Sequence, residues 1–221
     1  MVGRIFFSPS NRVAQAGFTI IELMVTMGIV GILASIMLAN YPELNGRLTL
    51  DLLAHDVALS VRQAQQFALG VRQQNVTGLK PFPTYGIHFD TAFPTNYFIF
   101  GDVAENFQYD PATDKNLGSG TLPAGMTIKR LCILWTGASP GEAQQFSNCL
   151  QGNAGTGQPP KNTQVNSLDF VFKRPNPDAS MNGVPFTSSS AFVEGVIILG
   201  ATRGSAEKQV QVFQSGQISV N

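Results

Sequence analysis

Residues 18–39 read FTIIELMVTMGIVGILASIMLA, a run of 22 residues in which Glu22 is the only charge. As a helix rising about 1.5 Å per residue they span roughly 33 Å, against about 30 Å of hydrocarbon in a bilayer. A secretory signal that is cut away has an apolar core of about 7–15 residues and a small-residue site after it. Here the run is longer and NYPELNG follows it, so the segment is expected to stay as a membrane anchor. Arg4 and Arg12 precede it with no acid between, whereas Glu43, Asp51 and Asp56 follow it and Arg47 is the only base before Arg62. This bias predicts an N-terminus in the cytoplasm and the rest of the chain outside.

The whole chain has 221 residues, 14 bases against 14 acids, and 13% charged residues, about half the usual share. A hydrophobic fraction of 43% excludes disorder from low hydrophobicity. With no positive excess to draw phosphates, nucleic acid is a disfavoured partner. The basic pairs Lys129-Arg130 and Lys173-Arg174 read as solvated strand ends. Two His and two Cys leave little for a zinc cluster or a His-based catalytic centre. His55 and His88 have no nucleophile at catalytic spacing, and H-E-x-x-H, G-x-S-x-G and G-x-x-x-x-G-K-[ST] are all missing. No enzyme activity, catalytic residue, metal or cofactor is expected.

Glu22 is the anomaly of the run. An ionised carboxylate in hydrocarbon costs several kcal/mol without a partner, and no Lys or Arg lies within 18–39. An α-amino group, with an ordinary pKa near 8, would supply the cation if the chain were cut just before Phe18. The local sequence, G-F-T-I-I-E-L-M from Gly17 to Met24, resembles the processing motif of type IV prepilins and type II secretion pseudopilins. The resemblance implies that residues 1–17 are a basic leader and that a membrane prepilin peptidase cleaves between Gly17 and Phe18. It further implies that the Phe18 amine is methylated and that Glu22 is the acidic fifth mature residue, used in subunit assembly. The mature chain would keep 204 residues and, without the two leader bases, a charge of −2.

Beyond the anchor, assigned to 18–41, apolar positions at Leu44, Leu48, Leu52, Leu53, Val57, Val61, Ala64, Phe67, Ala68 and Val71 predict an amphipathic helix over 42–74. Pro42 and the turn dipeptide Asn45-Gly46 are where it would break. From 75 to 221 the period changes. Strands are expected at 85–90 and 97–101 as a hairpin, at 126–135, 167–173 and 192–200, and as a closing hairpin within 209–220. Loops are expected at 102–124, 136–165 and 174–190. The fold class is therefore α+β, a long N-terminal helix packed on a mostly antiparallel, β-rich head. The G-x-I-x-V of the closing hairpin (Gly216 to Val220) resembles minor pseudopilins of the H type.

Cys132 and Cys149, flanking a Gly/Pro/Ser-rich loop in an extracytoplasmic domain, are expected to pair. Asp102, Asn106, Gln108, Asp110 and Asp114 alternate like calcium ligands but lack the glycine turn and closing Glu of such a loop, and read as a solvated polar loop. Together these features point to a structural, minor subunit of a type IV pilus or type II secretion pseudopilus. It would sit in the bacterial inner membrane before assembling with other pilin or pseudopilin subunits. The alternative is a monomeric, membrane-anchored binding module, an adhesin or DNA receptor, with a pilin-like signal.

Overall fold

A computed structural model describes residues 17–70, 84–135, 149–151, 162–184, 192–202 and 205–221. The chain divides into two compact units, residues 1–44 and 45–221. Helix α1, Ile20–Leu69, is 50 residues long and contributes to both. It runs through Pro42 and Asn45-Gly46, so neither of these possible breakpoints interrupts it. Proline removes one backbone donor and disfavours helix by about 3 kcal/mol, and the long helical runs on either side outweigh that local penalty. The helix closes at Leu69, where the Gly70 amide donates to the Gln66 carbonyl at 2.8 Å. The expected extension to residue 74 lies outside the described residues.

The head, within residues 45–221, holds eleven described strands. These are β1 Thr84–Asp90, β2 Asn96–Asp102, β3 Lys115–Thr121, β4 Met126–Trp135, β5 Leu150–Gln151 and β6 Asn162–Val165. They continue with β7 Ser167–Phe172, β8 Ala179–Val184, β9 Phe192–Ala201, β10 Glu207–Phe213 and β11 Ile218–Val220. The first sheet has the order β3-β2-β1-β7-β8 and the second β11-β10-β9-β4-β6-β5. Every pairing is antiparallel except β5 with β6. The class is α+β with a β-rich head, as the periodicity implied.

Why these strands pair as they do follows from alternation. In β1, Tyr85, Ile87 and Phe89 turn to the core while His88 takes the other face, and Ile87 is matched by Ile99 on one side and Phe170 on the other. One slip of register would move that whole set to the wrong face. The first sheet's Phe89, Phe170 and Met181 and the second sheet's Leu131, Ile133, Ile197 and Val210 belong to a single core. The two sheets lie close together at Gly195, where an added Cβ would lie 2.5 Å from the Phe170 ring and 3.3 Å from Met181 Sδ.

Strands β3, β5, β6 and β8 fall in segments expected to be loops. All lie at or beside sheet edges, and KNLGSGT of β3 is largely exposed. β3 buries too little to imprint a period-two apolar pattern, whereas β8 is largely buried through small and polar residues such as Ala179, Asn182 and Gly183 that leave no apolar alternation.

Helix α1 enters the same core through Leu50, Leu53, Ala54, Val57, Val61, Ala64 and Ala68. Leu48 and Leu52, expected on this stripe, are instead 58% and 66% exposed. At about 100° per residue, Leu52 stands roughly 140° from Val57 and Leu48 roughly 180°, so they occupy the outer face. Polar contacts fix the helix in register with the sheets. Ser60 Oγ and Tyr97 OH are 2.8 Å apart. Buried Gln65 donates from Nε2 to the Pro177 and Gly216 carbonyls, at 2.9 and 3.2 Å, and accepts from Arg62 Nη1 at 2.9 Å. Gly216 sits at φ +78°, and a Cβ there would collide with the Pro177 carbonyl and come within 2.6 Å of Gln65 Nε2.

Replacing Gln65 by Leu orphans two carbonyls and is expected to cost about 1–3 kcal/mol. Gly216→Ala should be at least as damaging, because strain and collision add. Chemical denaturation of both variants checks this.

Candidate functional site

The segment from Gly17 to Leu38 is built locally. Gly17, Phe18 and Thr19 precede the first turn of α1. Thr19 Oγ1 accepts the Glu22 amide at 3.3 Å, and the Thr19 carbonyl accepts the Leu23 amide at 3.2 Å. Thr19 is thus the N-cap, and T-I-I-E has the spacing of a capping box. Glu22 stands in the first turn, where the helix dipole favours an acid. This local role was open to sequence reading, since a Thr three residues before a Glu at the head of an apolar run signals a helix start.

From Ile20 to Leu38 the mean hydropathy is 2.2 and none of the span is buried. Large side chains on all sides are open, from Leu23 at 52% to Ile20 at 82%, and Phe18 is 81% exposed. Inside the run the hydroxyls are satisfied by the helix itself. Thr26 Oγ1 donates to the Leu23 carbonyl at 3.0 Å and Ser35 Oγ to the Gly31 carbonyl at 2.5 Å. A span in hydrocarbon needs this internal satisfaction, because no water is available there. A Cβ on Gly17 would meet nothing within 4 Å, so packing within the chain does not account for a glycine at this position.

The remaining candidates lie in the head. Cys132, on β4, and Cys149 form a disulfide with Cα atoms 6.1 Å apart. Both are buried together with Val196 and Ile198 in a second, smaller cluster.

The Asp102–Asp114 loop is not the solvated loop expected. Asp102 and Asp114 are 1% and 8% exposed and hold the loop by accepting backbone amides. Asp102 takes those of Asn106 and Phe107, and Asp114 those of Val103 and Asp110. Burial pushes both carboxyls above the ordinary range, with the amide bonds pulling the other way. Glu105 and Phe107 take left-handed backbone conformations, φ 54° and 61°.

Tyr109 closes over the first sheet. Its ring lies 4.6 Å from that of His88, and its amide donates to Asp169 Oδ2 at 3.1 Å. Asp169 Oδ1 in turn is 2.6 Å from His88 Nδ1. The pairing of His88 with Asp169, 81 residues away, has no signature in the sequence. Among the described residues no three His, Cys, Asp or Glu side chains are placed to hold one metal ion.

In each basic pair one member meets an acid. Arg130 pairs with Glu207 at 2.6 Å, and Lys173 lies 3.6 Å from Glu105 and over the Phe107 ring. Asp51, on the same helix as His55, pairs with Lys208 at 2.8 Å. That neighbouring ammonium lowers the Asp51 carboxyl below its ordinary value.

Among protein families, residues 12–38 match the model described as the prokaryotic N-terminal methylation motif. This chain carries the type IV pilin family signature. The signature and the apolar helix beneath it support a membrane-anchored, type IV pilin-like or pseudopilin precursor. Its α+β head is consistent with the pilin-like fold. The family is structural rather than enzymatic, and its motif implies processing by prepilin peptidase and assembly with other pilins. Comparison with curated proteins and with solved structures gives no match.

Opening the Cys132–Cys149 link, whose ends are 17 positions apart in sequence, is expected to lower head stability by about 3 kcal/mol. Unfolding of the Cys132→Ser/Cys149→Ser variant, compared with the native protein with and without reductant, measures it.

Proposed function

We propose that this protein is a structural, minor subunit of a type IV pilus or type II secretion pseudopilus, cleaved after Gly17 and methylated on the Phe18 amine. Before assembly it is held in the bacterial inner membrane, N-terminus in the cytoplasm and head outside. The observation that carries this reading is the methylation motif set directly on a fully exposed apolar helix whose one charge, Glu22, lies in the first turn.

Cleavage creates an ammonium at Phe18, four residues before Glu22. In a packed bundle of such helices the Glu22 carboxylate pairs with the Phe18 amine of a neighbouring copy. Desolvation offsets much of the Coulomb gain, so the pair acts mainly on register, while one left alone in hydrocarbon is heavily penalised. A contact between unlike surfaces repeats without closing and gives an open helical filament.

A second feature supports assembly. On the part of α1 that belongs to the head, Leu48, Leu52 and Leu59 are 58%, 66% and 66% exposed. They lie beyond the apolar run and face away from the head's core. In a filament, neighbouring subunits cover them, whereas a solitary anchored receptor leaves them in water. The minor role rests on the large head and its long Gly-, Pro- and Ser-rich segments.

Glu22→Ala is expected to insert and be processed, with the mature N-terminus at N-methyl-Phe18 by mass, but to be depleted from sheared filaments at least several-fold. Normal incorporation removes the role assigned to Glu22. A native protein found only in membranes, and never in filaments, favours the anchored binding module.

Leu52→Glu combined with Leu59→Glu should leave head stability within about 0.5 kcal/mol, as exposed positions do, yet lower filament incorporation. Melting curves and shear fractions of the same variant separate the two effects.

A further inference from the structure

Strand β9 has two differently used faces. Ile197 and Leu199 point into the core shared with α1 and the first sheet, while Val196 and Ile198 turn outward and pack with the Cys132–Cys149 disulfide. By the same alternation Glu194 lies on the disulfide side. It is 2% exposed. The register sets Leu134 of β4 on one flank and Phe213 of β10 on the other. Its Oε1 is buried and has no hydrogen-bond partner among the described residues.

No described cation reaches this carboxyl. On the same face, β4 offers Arg130, which is paired with Glu207 of β10, and Cys132, which is in the disulfide. From β10 come Gln209 and Gln211, and from β6 Asn162 and Gln164, none of which titrates. Lys208 serves Asp51 of α1. An ionised carboxylate here would lose its hydration and gain nothing, whereas the neutral acid loses less.

We propose that Glu194 makes the disulfide-bearing face of the second sheet a proton-sensitive element, closed while the carboxyl is protonated and loosened when it ionises. The side that yields is β10 and the terminal hairpin. Strand β4 is tied by the disulfide and flanked by two strands, whereas β11 beyond β10 is an edge. The bond at risk is that of the Gln214 amide to the Val193 carbonyl, 2.9 Å, next to Glu194 in the chain. This inference rests on the head alone and stands whether or not the chain enters a filament.

Burial raises the Glu194 carboxyl from 4.5 to about 7. The folded state therefore keeps a proton that the unfolded chain has lost over that interval. The resulting stability is fully present at and below about pH 4.5 and is lost as pH climbs through about 7.

The test uses the full chain in detergent micelles, native and Glu194→Gln, unfolded by denaturant between about pH 4.5 and about pH 8.5. The native unfolding constant should rise over the variant's by on the order of 300-fold across the range, the factor for a displacement from 4.5 to about 7. Asp102 and Asp114, also raised, are present in both proteins and cancel in the comparison.

Parallel profiles overturn the proposal, and so does a native stability that rises with pH relative to the variant, as a carboxylate paired with a cation would give. Should the variant fail to fold, hydrogen exchange of the native protein decides. Protection at the Gln214 amide should fall across neutrality beyond the intrinsic base catalysis followed at the β1 amides, and an unchanged ratio refutes the switch.

Discussion

Leu50, Leu53, Val57 and Val61 of α1 meet both sheets in one continuous core, and the head depends on that meeting. Each sheet alone has an apolar face with nothing to bury it. The helix supplies a narrow apolar stripe, Gly195 lets the two sheets close to the Phe170 ring, and Gln65 ties the helix to the Pro177 and Gly216 backbone. Removing the stripe would leave two half-buried sheets. Removing Gln65 would leave buried carbonyls without donors, which is the costlier kind of loss in an apolar setting.

One helix thus serves two environments. Over Ile20–Leu38 it is apolar on every side, caps its own start with Thr19 and satisfies its own hydroxyls. Beyond that span it buries one apolar face in the head's core, while Leu48, Leu52 and Leu59 stand exposed on the outer side. Glu22 belongs to the first regime and has two compatible parts there. As the acid of a capping box it favours the helix start, and in the proposed assembly it is the charge that would meet a neighbour's Phe18 ammonium.

Three buried carboxylates in the head show opposite uses of the same chemistry. Asp102 and Asp114 spend their lone pairs on backbone amides and thereby order a loop containing two left-handed non-glycine residues. Glu194 lies equally deep with one oxygen unanswered among the described residues. The first two convert burial into structure, while the third stores an instability that protonation relieves.

The sequence by itself determined the apolar run, the N-terminal methylation motif, the fold class and the best-patterned strands. Each of these is written in residues close along the chain: an apolar run, a Gly-Phe junction, a period of two. β4 begins and ends where its apolar pattern does. It did not determine the weakly patterned strands β3, β5, β6 and β8 at or beside the sheet edges, or that α1 continues through Pro42. Nor did it determine which leucines of α1 are buried, since spacings of four drift around a helix and only the position of the sheets selects the inner face. The His88–Asp169 pair, the buried amide contacts of Asp102 and Asp114, and the isolation of Glu194 were decided by tertiary structure alone. Each depends on what lies opposite a side chain across a sheet or under a loop, and a single sequence leaves that unspecified until the core has closed.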